Sequence, residues 1–217
     1  MPSRQLVLPL ETRPALGRED FIVAPANRDA VALIDSFPGW PAPAVAIHGP
    51  AGSGKSHLAA VWASRAGAVV ADAARLGDDL LLGDPRAVAI ENVDGAAPDA
   101  ARDAVIFALL ERGHAVLLTG RARPEHWPAV LPDLPSRYGA LLSFRLWEPD
   151  DALLAALARK LFADRQLAVP DAVVAQMLRT LERSPSAIRD FVARADSRAL
   201  AEKRPVSAAL VREILEE

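Results

Sequence analysis

The residues with the plainest chemical capability are Gly49-Pro50-Ala51-Gly52-Ser53-Gly54-Lys55-Ser56, which fit the spacing G-x-x-x-x-G-K-[ST]. Glycines at these intervals let the backbone turn so that successive N–H groups point inward at phosphate oxygens. A helix starting at the lysine adds the positive end of its dipole. The lysine then reaches the β- and γ-phosphates of a purine nucleotide, and the Ser56 hydroxyl is an expected Mg²⁺ ligand. A second chemical position ends the apolar run Arg86-Ala87-Val88-Ala89-Ile90-Glu91. A carboxylate at such a strand end holds the Mg²⁺ shell, so Glu91 is the second expected metal residue. Asn92 follows where an acid often polarises the attacking water; its amide cannot act as a base. The pair Glu91-Asn92 therefore predicts a chain that binds nucleotide well and hydrolyses it weakly or not at all.

These residues need a scaffold that delivers a strand into a loop and the loop into a helix. Five short apolar runs read as strands: Ala44 to His48, Ala68 to Asp72, Ala87 to Glu91, Ala115 to Thr119 and Leu141 to Leu146. Lys55 to Arg65 and Ala100 to Arg112 read as helices between them, which predicts βαβ units and a parallel sheet over residues 21–147. Beyond that, strand-like runs give way to helical stripes such as Leu154, Leu157 and Leu161, then Val174, Met177, Leu178 and Leu181. Ile188, Phe191, Val192 and Ala195 form a third stripe, and Leu210, Val211, Ile214 and Leu215 a fourth. Pro170 and Pro185 fit first helical turns, and Ser184 fits an N-cap. Residues 148–217 are thus expected to form a small all-helical lid domain, and residues 1–20, with three prolines and no period, a flexible tail.

The chain has 217 residues and a formal net charge of −3. That balance argues against a dedicated duplex-DNA reader, which ordinarily carries a basic surplus. The absence of cysteine excludes disulfides, thiolate metal sites and a cysteine nucleophile. No apolar run reaches membrane-spanning length and Leu6 to Leu10 is too short for a signal core, so a cytoplasmic protein without membrane partners is expected. Lysine occurs only at 55, 160 and 203, which makes the loop lysine conspicuous.

Loop, acidic strand end, five strands and helical lid together resemble an AAA+ ATPase: an α/β, P-loop core with a parallel five-stranded sheet flanked by helices, followed by a small helical lid. Phe21-Ile22-Val23 with Asn27 resembles the segment of the replication initiator DnaA that lines its adenine pocket. Leu118-Thr119-Gly120 with Pro124 resembles the sensor I strand, although Arg121 stands where DnaA relatives tend to carry aspartate. Either Thr119 or Arg121 would be the phosphate sensor, or neither. Leu134-Pro135-Ser136-Arg137-Tyr138-Gly139 resembles the segment bearing the arginine finger, and Ser186-Ala187-Ile188-Arg189-Asp190 the sensor II helix. The chain as given ends after the lid-like helices, without the helix-turn-helix of DnaA, so no direct sequence-specific DNA binding is expected.

Gln5-Leu6-Val7-Leu8-Pro9-Leu10 resembles the motif Q-L-x-L-P-L that docks on the DNA polymerase sliding clamp. With a DnaA-like core, this resembles the Hda family, DnaA homologues that act with the clamp to switch off the initiator by triggering its ATP hydrolysis. The resemblance implies ADP (or ATP) with Mg²⁺ as cofactors, and the DNA polymerase III sliding clamp and DnaA as partners. It also implies Arg137 as an arginine finger acting in trans and homo-oligomers as possible. Nucleotide contacts would come from Val23, Asn27, Gly49, Pro50, Ala51, Gly52, Ser53, Gly54, Lys55, Ser56, His57 and Arg189. Clamp contacts would come from Gln5, Leu6, Leu8, Pro9 and Leu10. A helicase-loader or clamp-loader type ATPase is the alternative.

Overall fold

A computed structural model describes residues 16–95 and 97–216. The clamp-like residues Gln5 to Leu10 lie outside the described residues. The chain divides between Glu148 and Pro149 into two compact units. In the first, the elements run α1 (Arg28–Ser36), β1 (Ala44–His48), α2 (Lys55–Ala66), β2 (Val69–Asp72), α3 (Asp79–Leu82), β3 (Ala87–Glu91), α4 (Ala100–Glu111), β4 (Ala115–Gly120), α5 (Leu134–Gly139) and β5 (Leu142–Arg145). The strands are all parallel, in the order β2-β3-β4-β1-β5.

The strands read as near-continuous apolar runs because both faces of the sheet are covered. Side chains alternate, so Val45 and Ile47 of β1 join Leu58 and Trp62 of α2 on one face. Ala46 of β1 and Val88 and Ile90 of β3 join Val105, Ile106 and Leu109 of α4 on the other. Trp62 is fully buried and stacks on Trp40 at 4.9 Å between ring centres. Strand bounds depart from the sequence reading where packing is one-sided. The edge strand β2 begins at Val69, with Val69 and Val70 nearly half exposed, and the edge strand β5 spans Leu142–Arg145. The helix α1 is an element the sequence reading leaves out. Residues 17–20, read as tail, form a 3-10 turn on this unit, where Arg18 Nε and Nη2 each hold Asp35 at 2.8 Å.

The second unit contains α6 (Asp151–Asp164), α7 (Asp171–Thr180), α8 (Pro185–Glu202) and α9 (Ala208–Leu215). Each expected apolar stripe contributes buried residues, among them Leu154, Met177, Phe191 and Leu210. Side-chain oxygens of Asp150, Ser184 and Ser207 accept from the first turns of α6, α8 and α9, satisfying N–H groups that a helix start otherwise leaves unpaired. Among the described residues no helix is long and apolar enough to cross a membrane.

Candidate nucleotide site

Strand order creates the site. Because β4 lies between β1 and β3, the carboxyl ends of these three strands stand side by side. His48 pairs with Gly120 across β1 and β4, and Ile90 with Leu118 across β3 and β4. The turn after β1 is thereby brought to the same edge as Glu91, the last residue of β3. Gly49 has φ +154°, and an added Cβ would meet the Leu146 carbonyl oxygen at 2.2 Å. Gly54 has φ +100°, and a Cβ there would press on the Phe21 ring at 2.9 Å. Both positions exclude a side chain on conformation and space alike.

Several features of the loop fit a bound phosphate chain. The N–H groups of Gly52, Gly54, Lys55 and Ser56 donate to no protein acceptor among the described residues. They lie at the start of α2, where the dipole adds positive potential. The Ser53 hydroxyl is buried without a partner in the protein. Lys55 is 9% exposed, and its Nζ donates to the Gly49 and Pro50 carbonyls at 2.8 and 2.7 Å, so the ammonium is held within the loop. Burial pulls its pKa below the ordinary lysine value, with Arg121 acting in the same direction and Asp94 and Glu91 against it. Ser56 is exposed in the first turn of α2. Among the described residues no three His, Asp or Glu side chains form a metal cage. Mg²⁺ ordinarily takes one or two protein ligands and completes its shell with phosphate and water, which Ser56 and Glu91 fit.

Asn92 adopts φ +58°, donates its side-chain amide to Asp72 Oδ2 at 2.7 Å and its backbone N–H to Thr119 Oγ at 3.4 Å. The Thr119 hydroxyl, 1% exposed, is thus engaged with the β3 end, whereas the Arg121 side chain is exposed. Asn27 is buried and closes its own turn, accepting from Ala24 N at 2.8 Å and donating to the Ile22 carbonyl at 2.9 Å; this leaves Val23 outward and half exposed. His57 is buried against the Phe21 ring, with Nε2 3.0 Å from the Gly17 carbonyl oxygen. Arg189 lies on α8 in the helical unit, beside buried Ile188.

Arg137 occupies the other edge of the sheet. α4 leaves the carboxyl edge after β3 and runs back, so its last residue, Glu111, marks the amino edge where β4 begins. Arg137 Nη2 pairs with Glu111 at 2.6 Å, and both side chains are about half exposed. Three supporting residues have no signal in the sequence. Asp94 accepts from the N–H groups of Arg121 (2.8 Å) and Ala122 (2.6 Å), fixing the turn after β4. Arg102, 2% exposed, pairs with Asp103 at 2.6 Å and donates to the Val93 and Pro128 carbonyls. Asp103 also accepts from Val130 and Leu131 N–H groups. An Arg-Asp dipeptide in a helix reads as a solvated face until the fold buries it.

Solved structures share this architecture. The chain is similar to domain III of the replication initiation protein DnaA from Thermotoga maritima, at 17% identity and TM-score 0.79, over 94% of this chain and 97% of that one. It is similar to replication initiator DnaA bound to AMPPCP and single-stranded DNA, at 16% identity and TM-score 0.70, over 88% and 69%. A RuvB A156S mutant from Thermotoga maritima aligns at 15% identity and TM-score 0.72, over 91% and 70%. No protein-family profile and no curated protein matches the chain. At these identities the likeness is one of fold: the chain has the AAA+ fold, a parallel five-stranded sheet flanked by helices, as in DnaA domain III and RuvB.

Proposed function

We propose that this protein is a nucleotide-held regulator of bacterial replication initiation in the cytoplasm. It binds ADP or ATP with Mg²⁺ at Gly49–Ser56, docks on the sliding clamp through Gln5 to Leu10, and presents Arg137 to ATP held by DnaA. The observation that carries this reading is the separation of Arg137 from its own loop. The helix α4 has 12 residues. At a rise of about 1.5 Å each it spans about 18 Å, so an arginine paired with its last residue cannot serve the Lys55 site of the same chain. An exposed guanidinium there can enter a neighbour's site, where a cation on the transferring phosphoryl group is worth about 10³–10⁵ in rate.

The chain's own residues suit holding nucleotide more than turning it over. Lys55 and the loop N–H groups bind the phosphates, and Ser56 and Glu91 would hold Mg²⁺, which neutralises phosphate charge when bound. Asn92 supplies no base, and its amide is committed to Asp72. The AMPPCP-bound DnaA neighbour supports a triphosphate as one acceptable ligand. The test is Arg137→Ala in a reconstituted mixture of clamp, DnaA and this protein. Nucleotide and clamp binding should survive, while stimulation of DnaA hydrolysis falls by at least 10³. Retained stimulation removes Arg137 from the role, and loss of clamp capture in Gln5→Ala/Leu6→Ala tests the docking separately. The RuvB-like fold keeps a loader-type ATPase as the competing reading; a turnover of about 1 s⁻¹ or more by the protein alone would favour it.

A further inference from the structure

The helical unit carries a groove of its own. Arg159 of α6 pairs with Asp171 at the start of α7 at 2.8 Å, and Arg183, just beyond α7, pairs with Asp151 at the start of α6 at 2.8 Å. These contacts lay the two helices antiparallel, with an ion pair bridging them at either end. Between the bridges lies a groove of about 710 Å³. Its floor is apolar: Val174 is buried, Leu178 and Leu181 are partly buried, and the short side chains of Ala155 and Ala175 leave the space above them open. Arg179 also lines the groove and has no carboxylate partner among the described residues. Three guanidinium groups thus share two carboxylates, and one cation is unspent. All four bridging side chains are more than half exposed, and such pairs exchange partners at little cost.

We propose that this groove docks an amphipathic helix of a partner protein, with the apolar face of that helix on Val174 and Leu178 and a carboxylate on Arg179. The lining itself selects this chemistry. An extended peptide would leave its N–H and C=O groups unpaired here, because α6 and α7 use theirs within their own turns; a helix satisfies its own. A small anion gains nothing from an apolar floor. A polyanion such as nucleic acid meets Asp151 and Asp171 at the two ends and finds no aromatic ring in the lining. A helix with apolar residues spaced i, i+3, i+4 and i+7 and an acidic residue beside them meets both the floor and the unspent cation. Every residue of the groove belongs to the helical unit, so the inference is independent of the nucleotide reading.

The experiment is fluorescence anisotropy of the full chain with a labelled, side-chain-stapled helical peptide of about 14 residues, with Leu at those spacings and Glu on both flanks. The comparison probes are the same peptide with Lys in place of Glu, poly-glutamate, and a single-stranded oligonucleotide. The Glu peptide should bind at least about tenfold more tightly than each of them. Arg179→Glu should weaken the Glu peptide at least about tenfold and strengthen the Lys peptide. Ala175→Glu fills the groove and offers Arg179 a carboxylate one turn away, so it should weaken the Glu peptide to a similar degree. Urea midpoints equal to wild type show that both losses are local. The proposal is overturned if the Glu peptide does not bind, if the Lys peptide or either polyanion binds as tightly, or if either folded variant binds the Glu peptide unchanged.

Discussion

The carboxyl edge of the sheet has an acidic half and a basic half. Asp72 and Glu91 pair across β2 and β3 on one side, and His48 and Arg145 pair across β1 and β5 on the other. Arg121 and Arg123 follow β4 on the basic side, while Asp94 turns its carboxylate to the backbone N–H groups of Arg121 and Ala122. The phosphate loop, with Lys55 at its end, begins on the basic side, directly after His48 of β1. The two halves are held differently. On the acidic side the polar groups are tied to one another, Asn92 to Asp72 and Thr119 to Asn92. On the basic side Arg121 and Arg145 have no carboxylate partner among the described residues, and Arg145 lies over the Trp147 ring. Carboxylates beside a phosphate chain require a cation between them, and guanidinium groups require an anion, so the two halves suit ligands of opposite charge.

Substitutions that disturb this division carry effects of graded size. The largest is Lys55→Ala, which removes the cation of the loop and with it the charge-assisted bonds to phosphate. Nucleotide affinity should fall about 100-fold, read by titration with a fluorescent ADP analogue. Unchanged affinity would mean that the backbone N–H groups hold the phosphates alone. Next is Asn92→Asp, which places a third carboxylate against Asp72 and Glu91. At pH 7 it should cost about 1–2 kcal/mol in urea unfolding, relieved by Asp72→Asn in the same chain. If the single variant is as stable as wild type, the acidic half is less crowded than the Asn92–Asp72 contact implies. Smallest is the pH response of His48. Its pKa in the folded protein lies below the ordinary 6.5, so between those values the unfolded chain binds more protons. Its contribution to stability is therefore complete above pH 6.5 and declines as pH falls through the folded value. His48→Gln should flatten that part of the profile. An anion seated beside Arg123 and Arg145 should raise the His48 pKa toward 6.5, measured by NMR titration.

Two arginine–carboxylate pairs teach a similar lesson about recruitment. Arg102–Asp103 is buried and ties the chain after β3 to the segment preceding α5, so neither member can be spared. Arg137–Glu111 is exposed on both sides, and pairs of that kind contribute about 0–1 kcal/mol. Arg137 can leave Glu111 for a stronger partner at little cost.

From the sequence alone came the loop, its lysine and serine, the acidic strand end and the neutral Asn92, because spacing and residue type carry that chemistry locally. The apolar runs also marked all five strands and the helical second unit, since periodicity follows from burial on one face or two. Only the tertiary structure decided which strand ends meet. The insertion of β4 between β1 and β3 puts Thr119 beside Asn92. The addition of β5 beyond β1 brings Arg145 and Trp147 to a cleft with Arg121 and Arg123. It also buried Arg102 and Asp103 and set Arg137 at the far end of α4. These facts depend on strand order and helix direction, which join residues far apart in the chain and leave no period or spacing for a sequence to display.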